Sequence, residues 1–178
     1  MRVALIVHDR CEDLEAFATR ALLVRSGLDV DTVNPQKTIT TAFGLTVEVD
    51  RHPTDLDPTR YAMLIIPGGK YVAEVLDTNT WIPQLIEAFN TLEKPLAAIC
   101  AGPRFLGRAN LLNAIPFTAY PGSEVDMQGP YQPEYKALTH GRIITGRSAG
   151  SVYAFAYEIV RYLQGDKQAD WLKENILD

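Results

Sequence analysis

The stretch "PLAAICAGPRFLG", residues 95–107, decides the fold of this chain. Four apolar residues, Leu96–Ile99, follow a proline and are typical of a strand buried on both faces of a sheet. The next three residues, Cys100–Gly102, predict a sharp turn, and Pro103 suits the first turn of a helix. The stretch therefore predicts a strand, a turn and a helix, with the Cys100 side chain held at the edge of the sheet.

Similar strand and helix patterns run along the rest of the chain. Strands are predicted at 2–8, 28–34, 44–52, 62–69, 117–120 and 142–146, and helices at 12–27, 72–92, 152–165 and at the end of the chain. Pro83 is expected to break or restart the second helical stretch. The alternation of strands and helices predicts an α/β fold, a mainly parallel sheet with helices on both faces. Since no repeat or linker interrupts the pattern, one domain is expected to span residues 1–178.

Composition excludes several classes of function. The 178 residues include 17 basic and 22 acidic side chains, a net charge of −5, without a basic cluster. This balance argues against nucleic acid and against an anionic membrane surface as partners. No segment approaches the ~20 apolar residues of a membrane span, and the first residues lack the pattern of a signal peptide. Two cysteines without an export signal are expected to be reduced thiols, which predicts a cytoplasmic protein.

The site is expected where the parallel strands end, because ligands bind at the carboxyl edge of such sheets. Four stretches lie there: His8–Glu15, Pro67–Gly69, Cys100–Gly102 and Arg147–Ser151. Glycine turns let backbone N–H groups point inward, which is how an oxyanion hole forms without side chains. The start of a helix after Cys100 predicts a lowered pKa for its thiol.

Glu15 is the second unusual residue in this pattern. On the predicted helix it flanks the stripe that faces the core, so its carboxyl is expected to be partly desolvated and its neutral form favoured. A neutral carboxyl can donate a hydrogen bond to a nearby thiolate. The alternative is an acid that stabilises the N-terminus of the helix. The residues alone leave both interpretations open.

Four motifs together resemble the DJ-1/ThiJ/PfpI superfamily, and its DJ-1 branch in particular. They are "CEDLEAF" (11–17), "IIPGG" (65–69), "AAICAGP" (97–103) and "ITGRSAGS" (144–151). The resemblance implies a flavodoxin-like three-layer sandwich, of the class I glutamine-amidotransferase-like kind, with a nucleophile-elbow cysteine. It also implies a homodimer.

The resemblance further assigns roles to residues of this chain. Cys100 would be the reactive cysteine, Glu15 the acid that hydrogen-bonds it, and the amides of Gly69 and Ala101 the oxyanion site. No metal and no cofactor are expected. Activities attributed to members of the superfamily include glutathione-independent glyoxalase, deglycase, chaperone, amidase or peptidase, and redox sensor.

The chain departs from the superfamily at the histidines. The peptidase-like branch carries a histidine directly after the cysteine, where this chain has Ala101, which argues against a peptidase. The DJ-1 branch carries a His-Pro pair, where this chain has Tyr120 before a proline. A phenol titrating near ~10 is a poor general base at neutral pH beside an imidazole near ~6.5. Of the other histidines, only His8 is predicted on the site side of the sheet, where a packed structural role is the alternative; His52 and His140 are expected outside the site.

Two classes of function follow from these residues. In the first, the Cys100 thiolate adds to the aldehyde of a 2-oxoaldehyde or its adduct and forms a hemithioacetal, while Glu15 moves protons. In the second, a redox-responsive or chaperone-like homodimer signals through oxidation of Cys100, without turnover. Cys11 is expected to be a small packed residue, with a disulfide to an oxidised Cys100 as the alternative.

Overall fold

A six-stranded sheet forms the centre of the computed structural model, which describes residues 1–178. The strands of the chain are β1 Arg2–Ile6, β2 Asp29–Val33, β3 Thr38–Thr40, β4 Thr46–Glu48, β5 Leu64–Ile66, β6 Leu96–Ile99, β7 Ala137–His140 and β8 Ile143–Gly146. Their order in the central sheet is β2-β1-β5-β6-β8-β7. The first five of these are parallel, and β7 pairs antiparallel with β8 at the edge. The predicted mainly parallel sheet is confirmed.

Six α-helices surround this sheet: α1 Thr19–Arg25, α2 Tyr71–Val75, α3 Trp81–Thr91, α4 Pro103–Arg108, α5 Val152–Gln164 and α6 Asp166–Ile176. Helix α5 packs against α1 and α6, while α3 packs against α4. Every residue of β5 and of β6 is buried. Continuous apolar strands of this kind require cover on both faces, which the helices provide.

The strand order places a reversal of direction between β1 and β5. From β1 the chain moves outward to β2, and it then returns past β1 to β5. This reversal is the topological switch point at which open α/β sheets bind ligands. The segments that follow β1 and β5 therefore meet at this point, and the turn after β6 lies beside them.

Two of the predicted strands are wrong in extent or kind. Residues 44–52 contain only the three-residue strand β4, which pairs with β3 in a separate two-stranded sheet. Residues 117–120 form no strand, since Phe117 makes a single bridge to Tyr131 and the Thr118 amide donates to the Thr145 side chain. The edge of β8 is occupied instead by β7, a strand that the sequence did not predict because its residues are only partly buried.

The predicted helices are present, but their first and last residues differ from those predicted. The stretch at 72–92 is two helices, α2 and α3, and Pro83 lies in the first turn of α3, so it restarts the helix rather than kinking it. The stretch at 12–27 opens with a π-helical segment, Leu14–Ala18, before α1. No helix is both long enough and apolar enough to cross a membrane.

Candidate active site at Cys100 and Glu15

Cys100 lies at the sharp turn between β6 and α4, in a strained backbone conformation. Its φ angle is 64°, in the left-handed region that residues with a side chain seldom adopt. Two hydrogen bonds hold this conformation: the Cys100 N–H donates to the Gly146 carbonyl, and the Cys100 carbonyl accepts from the Tyr120 N–H, each at 2.9 Å. Strain of this kind clusters at functional sites and persists only where the surroundings enforce it. The predicted elbow conformation is confirmed.

Glu15 lies on the π-helical segment after β1, with its carboxyl turned into the protein. Only 1% of the residue is exposed. The Oε2 atom accepts a hydrogen bond from the Gly68 N–H at 2.9 Å, while Oε1 is buried without a partner of regular geometry. The role at the helix N-terminus belongs to Glu12, whose Oε2 accepts from the Glu15 N–H at 2.8 Å. Of the two interpretations, the structure therefore favours the desolvated carboxyl.

Gly68 is the spacer between the Glu15 carboxyl and Cys100. A Cβ placed on Gly68 would lie 2.6 Å from Glu15 Oε2 and 2.7 Å from Cys100 Cβ. No methyl group fits at such distances, so a glycine at this position lets the carboxyl and the cysteine face each other. The structure thus brings together Glu15 and Cys100, which are far apart in the sequence.

Burial and mutual repulsion control the ionisation of this pair. Burial raises the pKa of Glu15 from 4.5 to about 7, against the lowering effects of the facing Cys100 thiol and of the Gly68 amide. Burial, and after it the negative charge of Glu15, raises the pKa of the Cys100 thiol above its ordinary value. The two acids therefore titrate as a coupled pair that keeps one proton above neutral pH.

The expectation of a lowered Cys100 pKa is wrong. It rested on the start of a helix after the elbow, but α4 has only six residues. The Ala101 amide faces the thiol and lowers its pKa, yet burial and the Glu15 carboxylate outweigh this effect. The thiolate consequently forms most readily when the proton passes from sulfur to Glu15, because the pair then carries one negative charge rather than two.

The amides of Gly69 and Ala101, the predicted oxyanion site, lie on the two turns that meet here. Neither N–H takes part in a backbone–backbone hydrogen bond. Gly69 has a φ of 124°, and a Cβ on it would lie 2.6 Å from the Arg10 carbonyl oxygen, so the turn packs tightly on the segment before Glu15. Neither amide is therefore occupied by a backbone carbonyl, and the oxyanion role of both stays a prediction.

Tyr120 and His8 take different positions near the site. The Tyr120 amide is bonded to the Cys100 carbonyl, and 53% of the residue is exposed. The His8 ring stacks on the Tyr71 ring, with centroids 4.7 Å apart, and its Nδ1 lies 3.0 Å from the Asp9 carbonyl oxygen. This packing favours the structural role of His8. His52 and His140 are exposed.

Cys11 is fully buried, and burial raises the pKa of its thiol to about 11. It pairs with Gly69 in an isolated antiparallel bridge, and both cysteines are free thiols. These features fit the expected small packed residue.

Sequence reasoning missed Tyr71, which borders the site. Its ring is wholly buried, and its hydroxyl donates to the Pro67 carbonyl at 2.8 Å. The only signal in the sequence is a large aromatic residue close after the glycine turn.

Neither metal ligands nor a large cavity mark the site. The chain has no group of three or more His, Cys, Asp or Glu side chains placed to hold a metal ion. A cavity of about 640 Å³ lies beside the β3–β4 hairpin, and one of about 510 Å³ lies between α1 and the last residues of the chain. Neither is lined by Cys100 or Glu15.

Comparison with known proteins places this geometry in a family. The sequence model of the DJ-1/PfpI family matches residues 1–162. A deglycase of Pyrococcus abyssi is 29% identical over 167 residues, which cover 92% of this chain and 100% of the relative. Drosophila melanogaster DJ-1beta superposes with a TM-score of 0.91 at 20% identity, over 99% of this chain and 97% of that one. Toxoplasma gondii DJ-1 in an oxidized form superposes with a TM-score of 0.88 at 25% identity, over 99% and 97% of the two chains.

Proposed function

Since the chain belongs to the DJ-1/PfpI family, we propose that it is a cysteine-dependent enzyme that converts small 2-oxoaldehydes or their adducts into 2-hydroxy acids. The observation that carries the proposal is the buried Glu15 carboxyl, with a pKa of about 7, facing a cysteine at a strained elbow. A general acid or base works best when its pKa lies near the working pH. The deglycase of Pyrococcus abyssi supports a carbonyl substrate.

The reaction begins with the proton that Glu15 and Cys100 share. When this proton lies on Glu15, the thiolate adds to the aldehyde carbon, so that a C–S bond forms and the carbonyl oxygen becomes an oxyanion. The amides of Gly69 and Ala101, which make no backbone–backbone hydrogen bond, are the proposed donors to that oxygen. Glu15 then protonates the oxyanion and becomes a carboxylate, which prepares it to act as a base.

Glu15 next carries a proton between the two carbons of the substrate. Its carboxylate takes the hydrogen of the former aldehyde carbon and returns it to the neighbouring ketone carbon, while the hydroxyl proton passes to the ketone oxygen. The first carbon is oxidised to a thioester and the second is reduced to an alcohol, so no external oxidant is needed. Water then cleaves the thioester, breaks the C–S bond and releases the 2-hydroxy acid with the Cys100 thiol.

The proposed role of Glu15 explains how this chain works without the histidine that the DJ-1 branch carries. Tyr120 holds the elbow through its amide, and His8 is stacked on Tyr71. Neither is needed as a proton carrier if Glu15 fills that role. The sequence suggested a missing shuttle, whereas the burial of Glu15 supports a shuttle of a different kind.

Formation of lactate from methylglyoxal tests the proposal. We expect turnover by the wild type, none by Cys100→Ala, and a loss of at least about 10²-fold in Glu15→Ala. Tyr120→His is expected to change the rate only slightly, and Cys11→Ala is the matched cysteine control. An inactive wild type that Tyr120→His activates would show that the shuttle is missing rather than supplied by Glu15.

A second candidate is a redox-responsive protein in which oxidation of Cys100 is the signal. Cys100 is partly exposed beside a buried acid, and the solved structure of Toxoplasma gondii DJ-1 is of an oxidized form. No turnover of methylglyoxal, glyoxal or glycated thiols, together with ready oxidation of Cys100 by dilute peroxide, would favour this candidate over the enzyme. Both cysteines are free thiols, which supports the cytoplasmic setting of either function.

A homodimer forms part of the proposal. Leu14 precedes Glu15 and is 56% exposed, and Phe43 and Leu45, at the tip of the β3–β4 hairpin, are 76% and 54% exposed. The hairpin is fixed to Asp13 by a hydrogen bond from the Phe43 amide, so these apolar side chains lie close to the site. A second copy that covered them would also shield the site. Sedimentation of wild type and Phe43→Ser tests this, with a monomeric wild type as the contradicting result.

A further inference from the structure

Three aromatic rings form a continuous stack beneath the site. The rings of His8 and Tyr71 lie 4.7 Å apart at 11°, and those of Tyr71 and Phe105 lie 6.3 Å apart at 28°. His8 follows β1, Tyr71 opens α2, and Phe105 belongs to α4. The stack therefore ties together the three segments that carry Glu15, the glycine turn and the Cys100 elbow.

Tyr71 is the central ring, and its hydroxyl makes one specific contact. The residue is wholly buried, and the hydroxyl donates to the Pro67 carbonyl at 2.8 Å. That carbonyl and the Gly68 N–H belong to the same peptide unit, which is planar and rigid. The Gly68 N–H in turn donates to Glu15 Oε2 at 2.9 Å. A chain of hydrogen bonds thus runs from the Tyr71 hydroxyl through one peptide to the Glu15 carboxyl.

Such a chain acts on Glu15 in two ways. It fixes the plane of the peptide, and with it the direction of the Gly68 N–H. It also polarises the peptide, because a carbonyl that accepts a hydrogen bond makes the amide of the same unit a stronger donor. Both effects stabilise the ionised carboxylate of Glu15 relative to its neutral form.

We propose that Tyr71 is a positioning residue that sets, through the Pro67–Gly68 peptide, how the shared proton is divided between Glu15 and Cys100. The inference rests on the proposed pairing of these two groups. It assigns the hydroxyl of Tyr71 a role that is separate from the packing of its ring.

The other groups that face the Glu15 carboxyl come from each neighbouring segment. Cys100 approaches from the β6–α4 turn, Glu12 and Cys11 from the loop that Glu15 follows, and Tyr71 from α2. The Ala149 amide faces the carboxyl from the turn before α5. Tyr71→Phe leaves the groups on the other segments in place and removes one hydroxyl, so a change in the titration of the pair reports on that hydroxyl.

The test is the rate of alkylation of Cys100 by iodoacetamide, measured on the intact protein from about pH 5 to about pH 9. In the wild type the rate is expected to rise with pH and reach a plateau near pH 7, where Glu15 loses its proton. In Tyr71→Phe the midpoint is expected to move up by about half a pH unit and the plateau to rise about threefold, because the carboxylate of Glu15 is less stable. Below the midpoint the alkylation rates of the wild type and of Tyr71→Phe are expected to be equal, since Glu15 and Cys100 are both protonated there.

This pattern separates positioning from general loosening of the fold. A disturbed elbow would change the rate at every pH, including the low-pH limb. Tyr61→Phe is the matched control, because Tyr61 is also buried and its hydroxyl donates to Asp31 at 2.7 Å, at the opposite end of β5. The control is expected to keep the wild-type profile. Thermal unfolding of each variant establishes that it is folded.

Glu15→Gln distinguishes failure of this inference from failure of the proposed function. Without the carboxyl, the plateau is expected to disappear and the rate to keep rising with pH. If Glu15→Gln keeps a plateau near pH 7, the pairing of Glu15 with Cys100 is wrong. If Glu15→Gln removes the plateau but Tyr71→Phe leaves the profile unchanged or shifts it equally at every pH, only the role of Tyr71 is overturned.

Discussion

The burial of Glu15 predicts an unusual dependence of stability on pH. The pKa of Glu15 is about 7 in the folded protein against an ordinary value of 4.5, so between these pH values the folded state binds more protons than the unfolded state. The contribution of the protonated Glu15 to the free energy of unfolding is therefore fully present below about pH 4.5, and it is lost as the pH rises to about 7. The shift of about 2.5 units corresponds to about 3 kcal/mol, since each unit is worth about 1.4 kcal/mol.

Replacement of Glu15 by glutamine isolates this effect. The glutamine side chain stays neutral at every pH, so the free energy of unfolding of the wild type minus that of Glu15→Gln should fall by about 3 kcal/mol between about pH 4.5 and about pH 7.5. Urea titrations at a series of pH values measure both proteins, and subtraction removes the contributions of the other titrating groups. Glu87→Gln, on an exposed face of α3, is the control and should stay within about 0.5 kcal/mol of the wild type. A difference between wild type and Glu15→Gln that is constant across this range would refute the burial argument.

Two further predictions concern the contacts of the site. Gly68→Ala places a methyl group 2.6 Å from Glu15 Oε2 and should lower the free energy of unfolding by about 1–3 kcal/mol, whereas the nearest atom to a Cβ on Gly150 is 3.9 Å away. Equal urea midpoints for Gly68→Ala and Gly150→Ala would show that the site is not tightly packed. Peptide mass spectrometry after brief treatment with iodoacetamide or dilute peroxide should find Cys100 modified first, because Cys11 is fully buried. Faster modification of Cys11 would contradict the accessibility argument.

The local parts of the fold could be predicted from the sequence, because they depend on neighbouring residues. The apolar run before Cys100, the turn and Pro103 define a strand, an elbow and a helix within one short stretch. Strands β3 and β7 could not be predicted in this way. Strand β3 has three residues with one buried side chain, and β7 has four residues with none, so both are too short to show a recognisable apolar pattern.

The ionisation of the site could not be predicted from the sequence, because it depends on contacts between distant segments. Helical spacing left two interpretations of Glu15 open, and the π-helical segment that turns it inward has no local signal. The rise in the pKa of Cys100 comes from burial and from the charge of Glu15, and only the folded chain brings these groups together. Tyr71 was missed for the same reason, since its stacking partners His8 and Phe105 lie on other elements.

The most direct measurement is the capture of the covalent intermediate on Cys100. Wild type and Glu15→Gln are mixed with methylglyoxal and quenched in acid, and their peptides are analysed by mass spectrometry while lactate is assayed in parallel. We predict that the wild type forms lactate. In Glu15→Gln, the Cys100 sulfur adds to the aldehyde carbon, but the carbon-bound proton cannot move. One methylglyoxal adduct is therefore expected to accumulate on Cys100 in this variant. Lactate formation by Cys100→Ala at the wild-type rate, or the absence of any adduct on Cys100 in Glu15→Gln, would contradict the assignment of Cys100 as the nucleophile.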